Sequence, residues 1–268
     1  MKKVVFIGAG SMAEAMISGW INNKTFQAND IYISNRSDIN RLLALREKYG
    51  VQILTDKERI READLIVLAV KPKDVRDAME KIKPYVSNET AILTILAGIS
   101  IETITEGLGM RPVARVMPNT SATIGMSASG ISFNHLVTEE RKQSFITLLQ
   151  AIGLVFEVEE DQLHAITALS GSGPAYIYYL IEAFEQVGSQ FGLSKEIVRD
   201  LMVQTIAGSA SMLSTIKEEP TLLRQKVTSP GGTTEAGIKA LEQNNFIDTI
   251  FACVQSAEAK SRELSKGV

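Results

Sequence analysis

The sequence is poor in the side chains that most often carry catalysis by themselves. Among 268 residues there is one cysteine, Cys253, and there are two histidines, His135 and His164. A single cysteine excludes an intrachain disulfide framework and a cysteine-based zinc cluster. No motif surrounds either histidine, so neither a serine-histidine triad nor a histidine-rich metal site is expected, and each reads as a surface or satisfied structural residue. Charge of one sign is also missing. The 28 basic and 31 acidic side chains leave a net charge of −3, which argues against the concentrated basic face a nucleic-acid binder needs. No run approaches the roughly 20 apolar residues of a membrane span. The apolar run at Val4-Val5-Phe6-Ile7 is too short for a signal peptide and ends in glycines. A soluble cytoplasmic protein, with no nucleic-acid or membrane partner, is the expectation. What is present is an apolar fraction of 45%, ample for a buried core, and a length that suits one large or two modest domains.

The first half alternates short β-rich runs with helical stretches. Strands are expected at 4–7, 31–33, 51–53, 65–70, 91–95 and 112–116, with helices after the first glycine turn and over 37–49. The 65–70 run is apolar throughout, as in strands buried on both faces of a parallel sheet. Strands alternating with helices imply parallel βαβ units and a doubly wound sheet. After about residue 158 the strand signal stops. Helices are expected over 161–169, 174–191, 195–213, 221–225 and from 233 onward, with Ser172 and Ser194 as caps and Pro174 in a first turn. The division is therefore placed at 1–160 and 161–268. The stretch 175–181 is apolar nearly all round, and such a helix must be covered on every side. A helical bundle could bury it internally, but the small residues Gly208, Ser209, Ala210 and Ser211 on the next long helix also allow close packing, and we favour a subunit contact.

The string Gly8-Ala-Gly-Ser-Met-Ala13 follows the first strand and opens a helix, with Ala13 in the place of the third glycine of G-x-G-x-x-G/A. Gly8 permits the tight turn, Gly10 lets backbone approach a pyrophosphate, and the amides at Ser11 and Met12 lie where a helix N-terminus meets phosphate. At the end of the second strand, NAD sites place an acidic residue for the ribose hydroxyls. Here the chain has Ser34-Asn35-Arg36-Ser37, while Asp30 lies at the wrong end of the strand. A guanidinium and hydroxyls suit a 2′-phosphate, so NADPH is expected, with NADH as the alternative. Val70-Lys71-Pro72, Ala97-Gly98 and Asn119 follow later strands at the same carboxyl edge and together describe the rim of a crevice.

Five uncommon strings coincide in order and spacing: Gly8-Ala-Gly-Ser-Met-Ala13, Ala69-Val-Lys-Pro72, Arg115-Val-Met-Pro-Asn-Thr120, Ala168-Leu-Ser-Gly-Ser-Gly-Pro-Ala-Tyr176 and Thr228-Ser-Pro-Gly-Gly-Thr-Thr234. Together they resemble pyrroline-5-carboxylate reductase over essentially the whole chain. The resemblance implies an N-terminal Rossmann domain and an all-α C-terminal dimerisation domain that interlocks with its partner. It also implies a homodimer, assembled in some relatives into a decamer, and reduction of the cyclic imine 1-pyrroline-5-carboxylate to L-proline by NAD(P)H. In this likeness Thr234 occupies the place of the active-site threonine and hydrogen-bonds the imine nitrogen. Ser229, Gly231, Gly232 and Thr233 surround the substrate carboxylate, and Ser172 lies in the segment beside the nicotinamide. Asp56 stands where relatives commonly have an asparagine near the adenosine ribose, and an acidic group there counts toward NADH.

The residues make chemical sense without the name, because glycines before a helix N-terminus expose amides that suit a carboxylate. No side chain is an obvious strong acid, so either the protonated iminium binds directly or water delivers the proton. Two other readings compete. A related imine or hydroxy-acid reductase shares the two-domain plan, but the β-hydroxy-acid enzymes usually carry a lysine on the long helix, and 176–191 has none. A non-catalytic NADP-sensing module leaves the 228–234 string without a role.

Overall fold

Eight strands form one sheet in the order β3-β2-β1-β4-β5-β6-β7-β8. The computed structural model describes residues 1–266 and divides into two compact units, Met1–Pro174 with the segment from Ser256 onward, and Ala175–Gln255. The first unit runs β1 (Val4–Ile7), α1 (Ser11–Asn22), β2 (Ile31–Ser34), α2 (Ile39–Tyr49), β3 (Gln52–Ile53), β4 (Leu65–Leu68), α3 (Val75–Ile82), β5 (Ala91–Thr94), α4 (Ile101–Leu108), β6 (Val113–Met117), β7 (Ser127–Phe133), α5 (Glu139–Gln150), β8 (Gly153–Glu157) and α6 (Leu163–Ile166). Strands β1 to β6 are mutually parallel, β7 is antiparallel to β6, and β8 is parallel to β7. Strand alternation sorts the core into two layers. Val4 and Phe6 pack with α1, α2 and α5, while Val5 and Ile7 pack with α3 and α4. Helices thus cover both faces, the doubly wound plan expected from the βαβ alternation. Trp20 anchors the first layer. Its ring is fully buried, lies 5.3 Å from both Phe6 and Phe26, and donates its indole N–H to the Leu148 carbonyl at 2.7 Å.

Strands β7 and β8 were not expected. The β7 sequence Ser-Ala-Ser-Gly-Ile-Ser-Phe lacks the β-branched run that marks the other strands, and its buried serines pair instead, Ser127 Oγ to Ser129 Oγ at 3.0 Å. Gly153, which opens β8, has a φ of +144°, and a Cβ there would lie 2.0 Å from the Ser127 carbonyl oxygen. Only glycine lets the two strands meet at that point.

The helical region departs from expectation at two places. The segment expected as one helix over 161–169 is a 3-10 turn (Glu160–Gln162), α6, and a π turn (Thr167–Gly171). Ser172 is itself helical (φ −87°, ψ −16°), so the chain enters α7 (Gly173–Gln190) without a break and Ser172 is no N-cap. The helix expected from 233 onward is two, α10 (Thr233–Gln243) and α11 (Phe246–Lys266), separated where Asn245 takes a left-handed φ of 56° that asparagine tolerates.

Within the second unit, α7 meets α8 (Lys195–Ile216), which Ser194 caps by accepting the Ile197 N–H at 3.3 Å. Their close approach is at Gly188, where a Cβ would lie 2.3 Å from Val198 Cγ2, and Arg199 Nε donates to Glu185 at 2.6 Å beside it. Gly208, in the stripe of small residues, faces open space. Helix α9 (Pro220–Lys226) completes the unit before α10. Among the described residues, no helix is long and apolar enough to cross a membrane.

Candidate functional site

The carboxyl ends of β1 and β4 define the point where the strand order reverses, which is where open α/β sheets bind ligands. Gly8 stands there with φ +108°. Its amide donates to the Ser34 carbonyl at 3.0 Å, and a Cβ would sit 2.3 Å from the Ala69 carbonyl oxygen, so β1, β2 and β4 converge on a residue that must be glycine. Gly10 has nothing within 4 Å of a Cβ position and occupies the start of α1 with no side-chain cap. The first bond at this end of α1 runs from Glu14 N to Gly10 O at 3.0 Å, so the amides of Ser11, Met12 and Ala13 precede the helical ladder. An open backbone surface at the positive end of a helix dipole fits a pyrophosphate.

A polar clamp that sequence reasoning missed braces this turn from below. Arg41 Nε donates to the Ala9 carbonyl at 3.0 Å, and Arg41 also bonds Glu14, which accepts from Lys48 Nζ and the Tyr49 hydroxyl at 2.9 Å each. The Lys48 bond, with those from Arg41 and Tyr49, holds the Glu14 carboxyl down at about 2 against the opposing effect of burial. No spacing rule links residues 14, 41, 48 and 49; only the packing of α1 against α2 brings them together.

The other expected rim residues line the same carboxyl edge in different states. Ser34 Oγ is occupied by the Phe6 carbonyl at 3.0 Å, and Asn35 Oδ1 accepts the Arg36 amide at 2.7 Å. Arg36 is 69% exposed, yet its Nη1 reaches Asp74 Oδ1 at 3.1 Å in the turn after β4. Asp56 accepts the Glu58 amide at 3.0 Å and caps a short 3-10 turn. Val70 lies in a bend, and Lys71 leads in extended backbone into the turn that Pro72 opens. Ala97 is half-buried, and Gly98 (φ +76°) approaches the C-terminal part of α11, where a Cβ would lie 3.2 Å from the Leu264 backbone. The Asn119 amide nitrogen donates to Ser170 O at 3.2 Å and to Ser170 Oγ at 3.1 Å, tying the end of β6 to the π turn that precedes Ser172. Single π turns within helices recur at functional sites. His164, by contrast, is structural. It is buried, bonds Ser261 Oγ at 2.8 Å, and is held below its ordinary range by burial and by the charges of Arg115 and Arg262.

In the second unit the string from Thr228 to Thr234 forms a turn at the N-terminus of α10. Thr228 Oγ1 donates to the Arg224 carbonyl at 2.7 Å, and Gly232 N donates to Ser229 O at 3.0 Å. Gly231, with φ +72°, donates its amide to Glu235 at 2.7 Å. This bond, with a second from Lys239, lowers the Glu235 carboxyl. The Ala236 amide makes the first bond at this end of α10, to Gly232 O at 3.2 Å. The amides of Thr233 and Thr234 therefore stand ahead of the ladder, and both side chains are exposed. Glu235 was not anticipated. It takes the Gly231 amide and the Ser229 carbonyl takes that of Gly232, so both glycine amides that the sequence offers to a substrate carboxylate are engaged within the turn.

Pyrroline-5-carboxylate reductase 2 of Bacillus subtilis is 44% identical over 271 residues, spanning 99% of this chain and 96% of its own. The chain belongs to the pyrroline-5-carboxylate reductase family. Residues 160–264 match the family model for pyrroline-5-carboxylate reductase dimerisation, and residues 3–98 match a model described as NADP oxidoreductase coenzyme F420-dependent. The structure of a pyrroline-5-carboxylate reductase from Coxiella burnetii superposes with a TM-score of 0.92 at 36% identity, covering 98% of both chains. That of a Plasmodium falciparum pyrroline carboxylate reductase with NADP bound superposes at 0.88 with 30% identity, again over 98% of both. Membership of the pyrroline-5-carboxylate reductase family, the α/β sheet and the helical C-terminal region thus agree with the reading of the five strings. The dimerisation match also identifies the helical region as the self-associating part of a pyrroline-5-carboxylate reductase.

Proposed function

We propose that this chain reduces 1-pyrroline-5-carboxylate to L-proline with NADPH, the final step of proline biosynthesis. The observation that carries this reading is 44% identity to a pyrroline-5-carboxylate reductase over 99% of the chain, together with two turns that carry open amides, one after β1 and one before α10. The turn at Gly8 and Gly10, with Ser11 and Met12, would hold the cofactor pyrophosphate. Ser34, Asn35, Arg36 and Asp56 would surround the adenosine ribose, and Val70, Lys71, Pro72, Ala97, Gly98, Asn119 and Ser172 would line the remainder of the dinucleotide. When bound, the reduced nicotinamide supplies the hydride for the C=N carbon.

In this proposal the amides at Thr233 and Thr234, with the Ser229 hydroxyl and the turn formed by Gly231 and Gly232, bind the substrate carboxylate at the positive end of α10. The Thr234 hydroxyl orients the ring nitrogen. Binding and orientation supply most of the acceleration, since fixing two reactants in one geometry removes translational and rotational freedom from the chemical step. Glu235 holds the turn in shape through the Gly231 amide.

Several finer points belong to the same proposal. A cofactor-binding part over 1–160 and a helical part over 161–268 are supported by the two family matches. A homodimer, with a decamer of such dimers as the alternative assembly, and a cytoplasmic location complete it. The test is NADPH oxidation by the purified protein with 1-pyrroline-5-carboxylate, beside a six-membered cyclic imine and a 3-oxo acid; no oxidation with the first overturns the assignment. Thr234→Ala is expected to lower kcat roughly tenfold to a hundredfold with NADPH binding unaltered. Full turnover in that variant would remove the role given to Thr234.

A further inference from the structure

We infer that Asp74 sets the preference between NADPH and NADH by competing with the adenosine 2′-phosphate for the Arg36 guanidinium. The inference rests on the reading of Arg36 as a 2′-phosphate ligand and adds the residue that opposes it.

Asp74 stands at the start of α3, where an aspartate ordinarily accepts an amide from the first turn of its own helix. It makes no such cap bond. Its carboxylate is turned instead to Arg36 Nη1 at 3.1 Å, from the turn after β4 to the second residue beyond β2. Asp77, the third residue of the same helix, also feels Arg36. Its carboxyl is lowered first by the hydrogen bond from Lys81 and then, among the smaller effects, by the charge of Arg36. Two carboxylates at the start of α3 therefore share the field of one guanidinium. Asp56, the acidic residue singled out from sequence, directs its oxygen to the Glu58 amide instead.

NADPH differs from NADH by one phosphomonoester, close to a dianion at neutral pH. For that group to bond Arg36, Nη1 must leave Asp74 or be shared with it, and the phosphate must sit near a carboxylate of like charge. NADH meets neither cost. The single contact leaves Nε and Nη2 of Arg36 as further donors, so binding of a 2′-phosphate is opposed by Asp74 and not abolished. Removing one unit charge a few ångströms from a dianion at a solvent-exposed position is worth about three- to tenfold in affinity, and salt reduces the effect.

The test is equilibrium binding of NADP+ and NAD+ to the full chain by titration calorimetry, for wild type, Asp74→Asn and Arg36→Ala, at low and high salt. Asp74→Asn is expected to raise the ratio of NADP+ to NAD+ affinity about three- to tenfold at low salt, with a smaller gain at high salt. Arg36→Ala is expected to lower that ratio. If Arg36→Ala lowers the ratio while Asp74→Asn leaves it unchanged or lowers it, Asp74 is at most a support for Arg36 and the inference is overturned alone. If Arg36→Ala leaves the ratio unchanged, the 2′-phosphate reading of Arg36 falls and takes the inference with it.

Discussion

Strand β4 and helix α7 are both rich in apolar residues, and the chain treats them in opposite ways. All four residues of β4 are buried between two helical layers. In α7 the buried residues are Glu185 and Gly188, while Tyr179 is 72% exposed and Phe184 and Val187 also face outward. One unit closes its core inside a single chain. The other turns a helix inside out, with a glutamate in and the aromatics out, as a helix does when its cover is a second molecule. The dimerisation match over 160–264 coincides with this inverted part. Apolar content alone thus says that a segment will be covered, and the environment says by what.

Three substitutions probe this contrast. Trp20→Ala should break the self-sufficient unit, costing about 3–5 kcal/mol because it removes a fully buried ring and its bond to Leu148; urea denaturation should show a similar loss at every protein concentration. Phe184→Asp places a charge on the outward face of α7 and should weaken self-association about a hundredfold or more, read by sedimentation velocity at micromolar protein. Its effect on denaturation should disappear under dilution, since association stabilises by mass action. An unchanged oligomeric state would show that α7 finds its cover elsewhere.

The smallest effect is expected at Glu14, within the clamp beneath the glycine turn. Its carboxyl is near 2 in the folded chain against 4.5 ordinarily. A depressed carboxyl stabilises above its unfolded value and loses that contribution as pH falls from about 4.5 toward 2. After solvent screening the contribution is about 1 kcal/mol. Glu14→Gln should therefore be less stable than wild type at pH 7 by that amount and equal to it near pH 2, as denaturation at the two pH values would show.

Much of this arrangement is legible in the amino-acid order, for reasons that differ by element. Strands β1 and β4 show because parallel strands buried on both faces must be apolar throughout. The glycine turn shows because Gly8 has no tolerated replacement at φ +108°. Strand β7 does not show, since its buried positions carry serines that bond each other along the strand and Gly130, where Leu163 and Ile166 come within about 3 Å of a Cβ position, in place of a β-branched run. Of the candidate site, Arg36 is visible from its place after β2, whereas Asp74 lies 38 positions away and meets it only across the sheet edge. The break at Asn245 is hidden because neither proline nor glycine, the strongest helix breakers, marks the junction of α10 and α11.

The approach of Gly98 to Leu264 joins residues made early and late in synthesis. The sheet-bearing unit is made of two stretches of chain with 175–255 between them, so a ribosome delivers the whole helical insert before the last turns of α11 can settle against the loop after β5. Closing so long a loop is slow. The flank of Gly98 therefore stays bare until synthesis has passed through α7, whose aromatic residues face outward.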